Sequence, residues 1–275
     1  MFSSINCNGK LLSIEKPVVM GILNVTPDSF YDGGKFQHHD KIALQASKML
    51  HEGASIIDIG GMSSKPGSKI IAVNEELNRV IPAIEIVLAA NPNAIISIDT
   101  IHAEVAAKAV EKGAAMVNDI SAGTYDAEML PTVASLDVPY IAMHMKGTPE
   151  NMMMQTNYED VVTEVFDFLA ERIQACETLG IKDLFIDLGF GFSKTLEQNF
   201  MLLKNMKSFS VLCKPILVGF SRKSMAYKLL NITPDEALNA TTALNMFALT
   251  QGAKILRVHD VKEAQQAIEI FAAAN

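Results

Sequence analysis

Residues 18–28, VVMGILNVTPD, carry the decision about the fold. The run 18–23 is continuously apolar, as expected of a parallel strand covered on both faces, and it does not alternate. It is followed by Asn24-Val25-Thr26-Pro27-Asp28, not by the Gly-x-Gly-x-x-Gly turn of a dinucleotide-binding sheet. Outward from this stretch the same unit recurs: an apolar run, a polar or glycine-containing loop, an amphipathic helix. Further runs lie at 55–59, 95–98, 115–117, 140–143, 184–186, 216–218 and 254–258. Helical periodicity lies between them, at 40–51, 75–90, 101–112, 158–179 and 196–206. Eight βα units in one uninterrupted chain predict an α/β fold, a single-domain (β/α)8 (TIM) barrel over residues 1–275. The alternative is an open, doubly wound sheet. Residues 1–17 are expected to form an N-terminal cap or hairpin at the barrel bottom.

Local punctuation agrees with this division. Thr233-Pro234-Asp235-Glu236 is a capping box with proline at the first helical position, predicting a helix from there to about Thr250. Gly53, Gly113, Gly180 and Gly252 each stand between a helix and the next strand, where a left-handed C-cap belongs. Pro82, inside a helical pattern, predicts a kink or a break.

Composition narrows the function classes. The 275 residues are 49% hydrophobic and 20% charged, enough to bury a sizeable core. A net charge of −8 argues against nucleic-acid or anionic-membrane partners. No apolar run approaches the roughly 18 residues of a membrane helix, and MFSSINCNGK lacks the form of a secretory signal. Cys7, Cys176 and Cys213 have neither zinc-ligand spacing nor a disulfide pattern. A cytoplasmic, reducing location is expected.

In a barrel the chemistry sits at the C-terminal strand ends. Those ends carry Asn24, Gly60-Gly61, Asp99, Asn118-Asp119, His144, Asp187, Ser221-Arg222-Lys223-Ser224 and Arg257-Val258-His259-Asp260. Each has a blander reading. Asp99 reads alone as a helix N-cap, Asn118 as a turn residue and His144 as a satisfied buried histidine, while Lys223 and Arg257 read as surface charges. Together they form a cup with carboxylates and amides on one side and cations on the other. Such a cup suits a ligand with an N–H-rich heterocycle and an anionic group. The loops 24–36 and 60–69 are long and contain Gly, Pro and Ser, as substrate-ordering lids do.

GILNVTPDSFYDGG, GGMSSKPG, SIDT, VNDI, MHMKGTP, DLGFGFSK, GFSRKS and LRVHDV follow one another in that order. The series resembles the dihydropteroate synthases over nearly the whole chain. The resemblance implies condensation of 6-hydroxymethyl-7,8-dihydropterin diphosphate with p-aminobenzoate, with Mg2+ as cofactor and a homodimer as the assembly. It implies that Asp99, Asn118, Asp187 and Lys223 bind the pterin, together with Met145 and Gly219. Arg257, His259 and Asn24 would hold the diphosphate, with Asn24 also the metal ligand. Asp32, with Lys223, Arg257 and His259, would be catalytic; Ser64, Lys65, Pro66, Phe192 and Ser224 would surround p-aminobenzoate. Lys65 stands where the family has arginine, Met62 where glutamate is frequent, and Leu188 where proline is usual. The alternatives are a pterin-binding methyltransferase and a catalytically degenerate pterin-binding paralogue.

Overall fold

A computed structural model describes residues 4–26 and 35–274. Eight parallel strands close into a barrel: β3 (Val18–Asn24), β4 (Ala54–Gly60), β5 (Ile96–Asp99), β6 (Met116–Asp119), β7 (Tyr140–Met143), β8 (Leu184–Asp187), β9 (Ile216–Val218) and β10 (Ala253–Val258). Closure is made by β10 on β3, with Ile255 opposite Val18 and Arg257 opposite Met20. The barrel prediction holds, and the doubly wound alternative is excluded. A separate hairpin, β1 (Ser4–Cys7) and β2 (Lys10–Ser13), precedes β3.

Helices α1 (Lys35–His51), α2 (Val73–Ala90), α3 (Ala103–Glu111), α4 (Met129–Leu136), α5 (Val161–Thr178), α6 (Leu196–Lys204), α7 (Ser224–Leu230), α8 (Leu238–Thr250) and α9 (Val261–Ala274) pack around the strands. All four glycines expected at C-caps have positive φ. Helix α2 runs through Pro82 unbroken, with Val80, Ala83, Ile84 and Val87 buried around it. The capping box at Thr233 forms, but it caps a short 3-10 turn, Pro234–Glu236, and α8 starts afresh at Leu238. Helix α4 was not among the helical patterns; it is short and contains Pro131.

The period of two along a strand explains both ends of the barrel. Met20, Ile56, Met116, Ile141, Phe185, Leu217 and Ile255, one from each of seven strands, form one apolar cluster with Ile5, Cys7, Leu12 and Ile14 of the N-terminal segment. That cluster is the barrel floor, and each large side chain buried in it contributes roughly 1.5–3 kcal/mol. Two residues further along each strand, in the same inward phase, come Ile22, Asp58, Asn118, Met143, Asp187, Gly219 and Arg257. The floor is dry and the layer above it is polar.

Candidate active site

Strand register brings the predicted residues to one rim. Asn24 lies opposite Gly60, Gly60 opposite Asp99, and Asp99 opposite Asn118. A methyl group on Gly60 would lie 3.4 Å from Asn24 Oδ1 and 3.6 Å from Asp99 Oδ2, so both oxygens border one spot. Across the barrel, Met143 pairs with Asp187 and Asp187 with Leu217. The Asp187 carboxylate is fixed by the Gly189 N–H at 2.8 Å.

Arg257 reaches over the carboxylates instead of standing apart from them. Its Nε donates to Asp58 Oδ2 at 2.7 Å and its terminal nitrogen to Asp99 Oδ2 at 2.6 Å. Asn118 Nδ2 donates to the same Asp58 oxygen at 3.1 Å. The cup is therefore not divided into an acidic and a cationic half; the guanidinium bridges them. Nor is Asp99 a helix cap: the N–H of Ala103, at the start of α3, donates to Asp126 at 2.8 Å. Asp119 belongs to the scaffold, since it accepts from Ser121, Gly123 and Tyr140.

Lys223 enters from the β9 loop. Its ammonium donates to the Phe190 carbonyl at 2.6 Å and lies 4.5 Å from the Phe192 ring centroid. Gly191 gives its stem room, because a Cβ there would sit 3.0 Å from Lys223 Cδ. The last cluster pairs Ser221 Oγ with His259 Nδ1 at 3.0 Å and Arg222 with Asp260 at 2.9 Å.

Electrostatics follow from burial. Burial pushes Asp99 up to about 7, with Arg257 pulling the other way. Burial also raises Asp187, against the pull of Lys223. Burial lowers Lys223 to about 8, with Asp187 opposing and Arg257 assisting. Burial works against the Arg257 charge, yet Asp58 and Asp99 outweigh it and hold the guanidinium above its usual value. Burial, Arg257 and Arg222 lower His259 to about 4, so this imidazole is neutral at neutral pH and acts as a hydrogen-bonding group.

Met145 and Phe192 are buried in one apolar cluster with Met62, Ile101, Ile120, Met143 and Met152. Ser64 is half-buried and Lys65 and Pro66 are exposed, on a loop tied down by Gly67 N–H to the Pro149 carbonyl and Ile70 N–H to Glu150. The Lys65 charge is close enough to help lower His259. Ser224 opens α7 directly after Lys223. Asp32, and most of the loop 24–36, lies outside the described residues.

Two residues of this site were missed by sequence reasoning. Asp58 is fully buried and hidden between Ile57 and Ile59, but a charge in the inward phase of a buried strand was the available signal. Lys194 is 2% exposed, and nothing in the sequence around it distinguishes it from a surface lysine before a helix cap.

Residues 20–259 match the pterin binding enzyme family. The chain belongs to that family. It is 42% identical to the dihydropteroate synthase of Escherichia coli strain K12 over 96% of this chain and 94% of that one. The structure superposes with TM-score 0.93 on a Xanthomonas albilineans dihydropteroate synthase with 4-aminobenzoic acid, 39% identical, covering 100% of this chain and 98% of the other. A second structure of the Xanthomonas albilineans enzyme, in complex with 7,8-dihydropteroate, matches with TM-score 0.88 and 38% identity over 98% of both chains.

Proposed function

We infer that the chain is a dihydropteroate synthase, joining 6-hydroxymethyl-7,8-dihydropterin diphosphate to p-aminobenzoate with release of diphosphate. The observation that carries this reading is the shared rim of Asp99, Asn118, Asp187 and Lys223 beside Arg257 and His259. An aminopyrimidinone edge presents N–H donors that buried carboxylates accept, while Lys223 and the Asn118 amide address the ring's acceptors. Met145 and Gly219 complete that pocket. Relatives holding 4-aminobenzoic acid or 7,8-dihydropteroate support the same two substrates here.

The reaction breaks the bond from the pterin methylene to the diphosphate oxygen, and the electron pair leaves with diphosphate. Arg257 and His259 stabilise the departing charge, and Asp32 the pterin cation left behind. The amine nitrogen of p-aminobenzoate then donates its lone pair to the methylene carbon and loses a proton. Ser64, Lys65, Pro66 and Phe192 flank that ring, and its carboxylate meets Ser224.

No cluster of three or more metal-ligating side chains occurs among the described residues. A lone Asn24 Oδ1 on the rim fits Mg2+ held mainly by substrate diphosphate and water. When bound there, Mg2+ supplies charge neutralisation to the leaving diphosphate. The hairpin of residues 4–13 serves as a cap on what we read as a single domain. Exposed Leu229, Leu230, Phe247 and Ile270 on α7, α8 and α9 support a homodimer. The free thiols Cys7, Cys176 and Cys213 support a cytoplasmic location.

Purified protein with both substrates and Mg2+ should form dihydropteroate. Pterin binding without turnover would instead identify a degenerate paralogue. A methyltransferase has no need of a phosphate-facing group such as His259 with Ser221 and Arg222. Lys65 offers a point charge where a guanidinium would offer a fork. Lys65→Arg is therefore expected to change the KM for p-aminobenzoate severalfold, by about 1 kcal/mol of contact energy, and to leave pterin affinity alone. Steady-state kinetics check this; an unchanged KM contradicts a role for the loop cation.

A further inference from the structure

Lys194 is a buried lysine whose three hydrogen-bond partners include no carboxylate. Its ammonium donates to the Gly189 carbonyl at 3.0 Å and the Phe192 carbonyl at 3.1 Å, and it lies 2.9 Å from His144 Nδ1. Burial drives its pKa well below the usual lysine value, and burial with the nearby lysines lowers His144 to about 2. His144 is thus neutral, and its Nδ1 accepts the third lysine donor. The histidine is itself fixed: its backbone N–H donates to the Asp187 carbonyl at 3.0 Å, and its ring stands edge-on to Phe168 at 4.9 Å. A Cβ on Gly189 would collide with the His144 carbonyl, so the β8 loop is pressed onto the end of β7.

The two carbonyls that Lys194 holds flank Phe190, whose own carbonyl receives the Lys223 ammonium. Phe192, held through its carbonyl, carries the ring beside that same ammonium. We propose that Lys194 and His144 are positioning residues for the reaction: together they lock the loop 189–193 so that the Phe190 carbonyl and the Phe192 ring fix Lys223 at the pterin. This rests on the reading that Lys223 contacts the pterin. A buried strut that only stabilises the core would have no effect on Lys223.

The groups facing Lys223 are Asp187, Arg257, Asp99 and Lys194, together with the Phe190 carbonyl and the Phe192 ring. Its charged form is lost as pH rises through about 8, so kcat/KM for the pterin diphosphate should fall there. In Lys194→Met the loop loosens, water reaches Lys223 and a neighbouring cation is gone. Both changes raise the Lys223 pKa, so the alkaline limb should move up by about one pH unit and the KM for pterin diphosphate should rise about tenfold. His144→Ala should reproduce the effect, and the double variant should be no worse than Lys194→Met. His144→Asn keeps an acceptor for Lys194 and should restore the wild-type profile.

An alkaline limb that stays near pH 8 while the thermal midpoint falls would overturn the proposal. Equal defects in His144→Asn and His144→Ala would do the same. If Lys194→Met does not fold, as judged by circular dichroism, the His144→Asn and His144→Ala pair decides. NMR titration of the Lys223 side chain in the same variants reads the shift without turnover. A failure of wild-type catalysis is thereby distinguished from a failure of this pair.

Discussion

Asp99→Ala is expected to weaken pterin binding at least a hundredfold, measured by titration calorimetry with the pterin. Asp99 stands at the rim between Gly60 and Asn118 in register and is mostly buried. A charged acceptor is worth about 1.5–3 kcal/mol per hydrogen bond, and a bidentate contact uses two. The loss thus amounts to ~3 kcal/mol or more, which is a factor above one hundred. The helix following Asp99 should be unaffected, because Asp126 caps it. Affinity equal to wild type would show that Asp99 serves only to hold Arg257.

Arg257→Met should be both inactive and unstable. The substitution leaves Asp58, fully buried, and Asp99 without their shared cation. Removing one partner of such a buried network costs about 3–5 kcal/mol. The sign of its pH dependence is fixed. Asp99 is already raised to about 7 by burial, and without Arg257 it rises further. A carboxyl with a raised folded pKa is accommodated when protonated, and that stability is lost as pH rises through the folded value. The deficit against wild type should grow as pH rises past about 7 and shrink as pH falls below about 6. Thermal denaturation across that range checks this, and a variant as stable as wild type at high pH would contradict it. Arg257→Lys keeps the charge but cannot span both carboxylates, so it should recover only part of the loss.

The barrel was legible because the strands are continuous apolar runs, four of them preceded by a glycine that ends a helix, and the first run lacks the turn of its rival fold. Closure itself fixes the strand ends, so Asn24, Asp99, Asn118 and Asp187 could be placed on one rim from position alone. Side-chain direction could not. The Nε and one terminal nitrogen of Arg257 meet Asp58 and Asp99, contacts that only the packed structure shows. The neutral state of His259 was not legible either, since the Arg222 that helps lower it comes from another strand end. Lys194 was illegible because its acceptors are backbone carbonyls of a loop whose path depends on Gly189 and Gly191 at positive φ. Asp58 was legible in principle, two residues above Ile56 in the inward phase.

A single barrel mouth that seats both substrates must exchange diphosphate for an amine. The direct measurement gives purified protein the pterin diphosphate, p-aminobenzoate and Mg2+ and follows dihydropteroate and diphosphate by chromatography. The geometry predicts that the two products appear together, in equal amounts, and only when both substrates are present. Pterin binding with no dihydropteroate formed, or diphosphate released without it, would contradict the assignment.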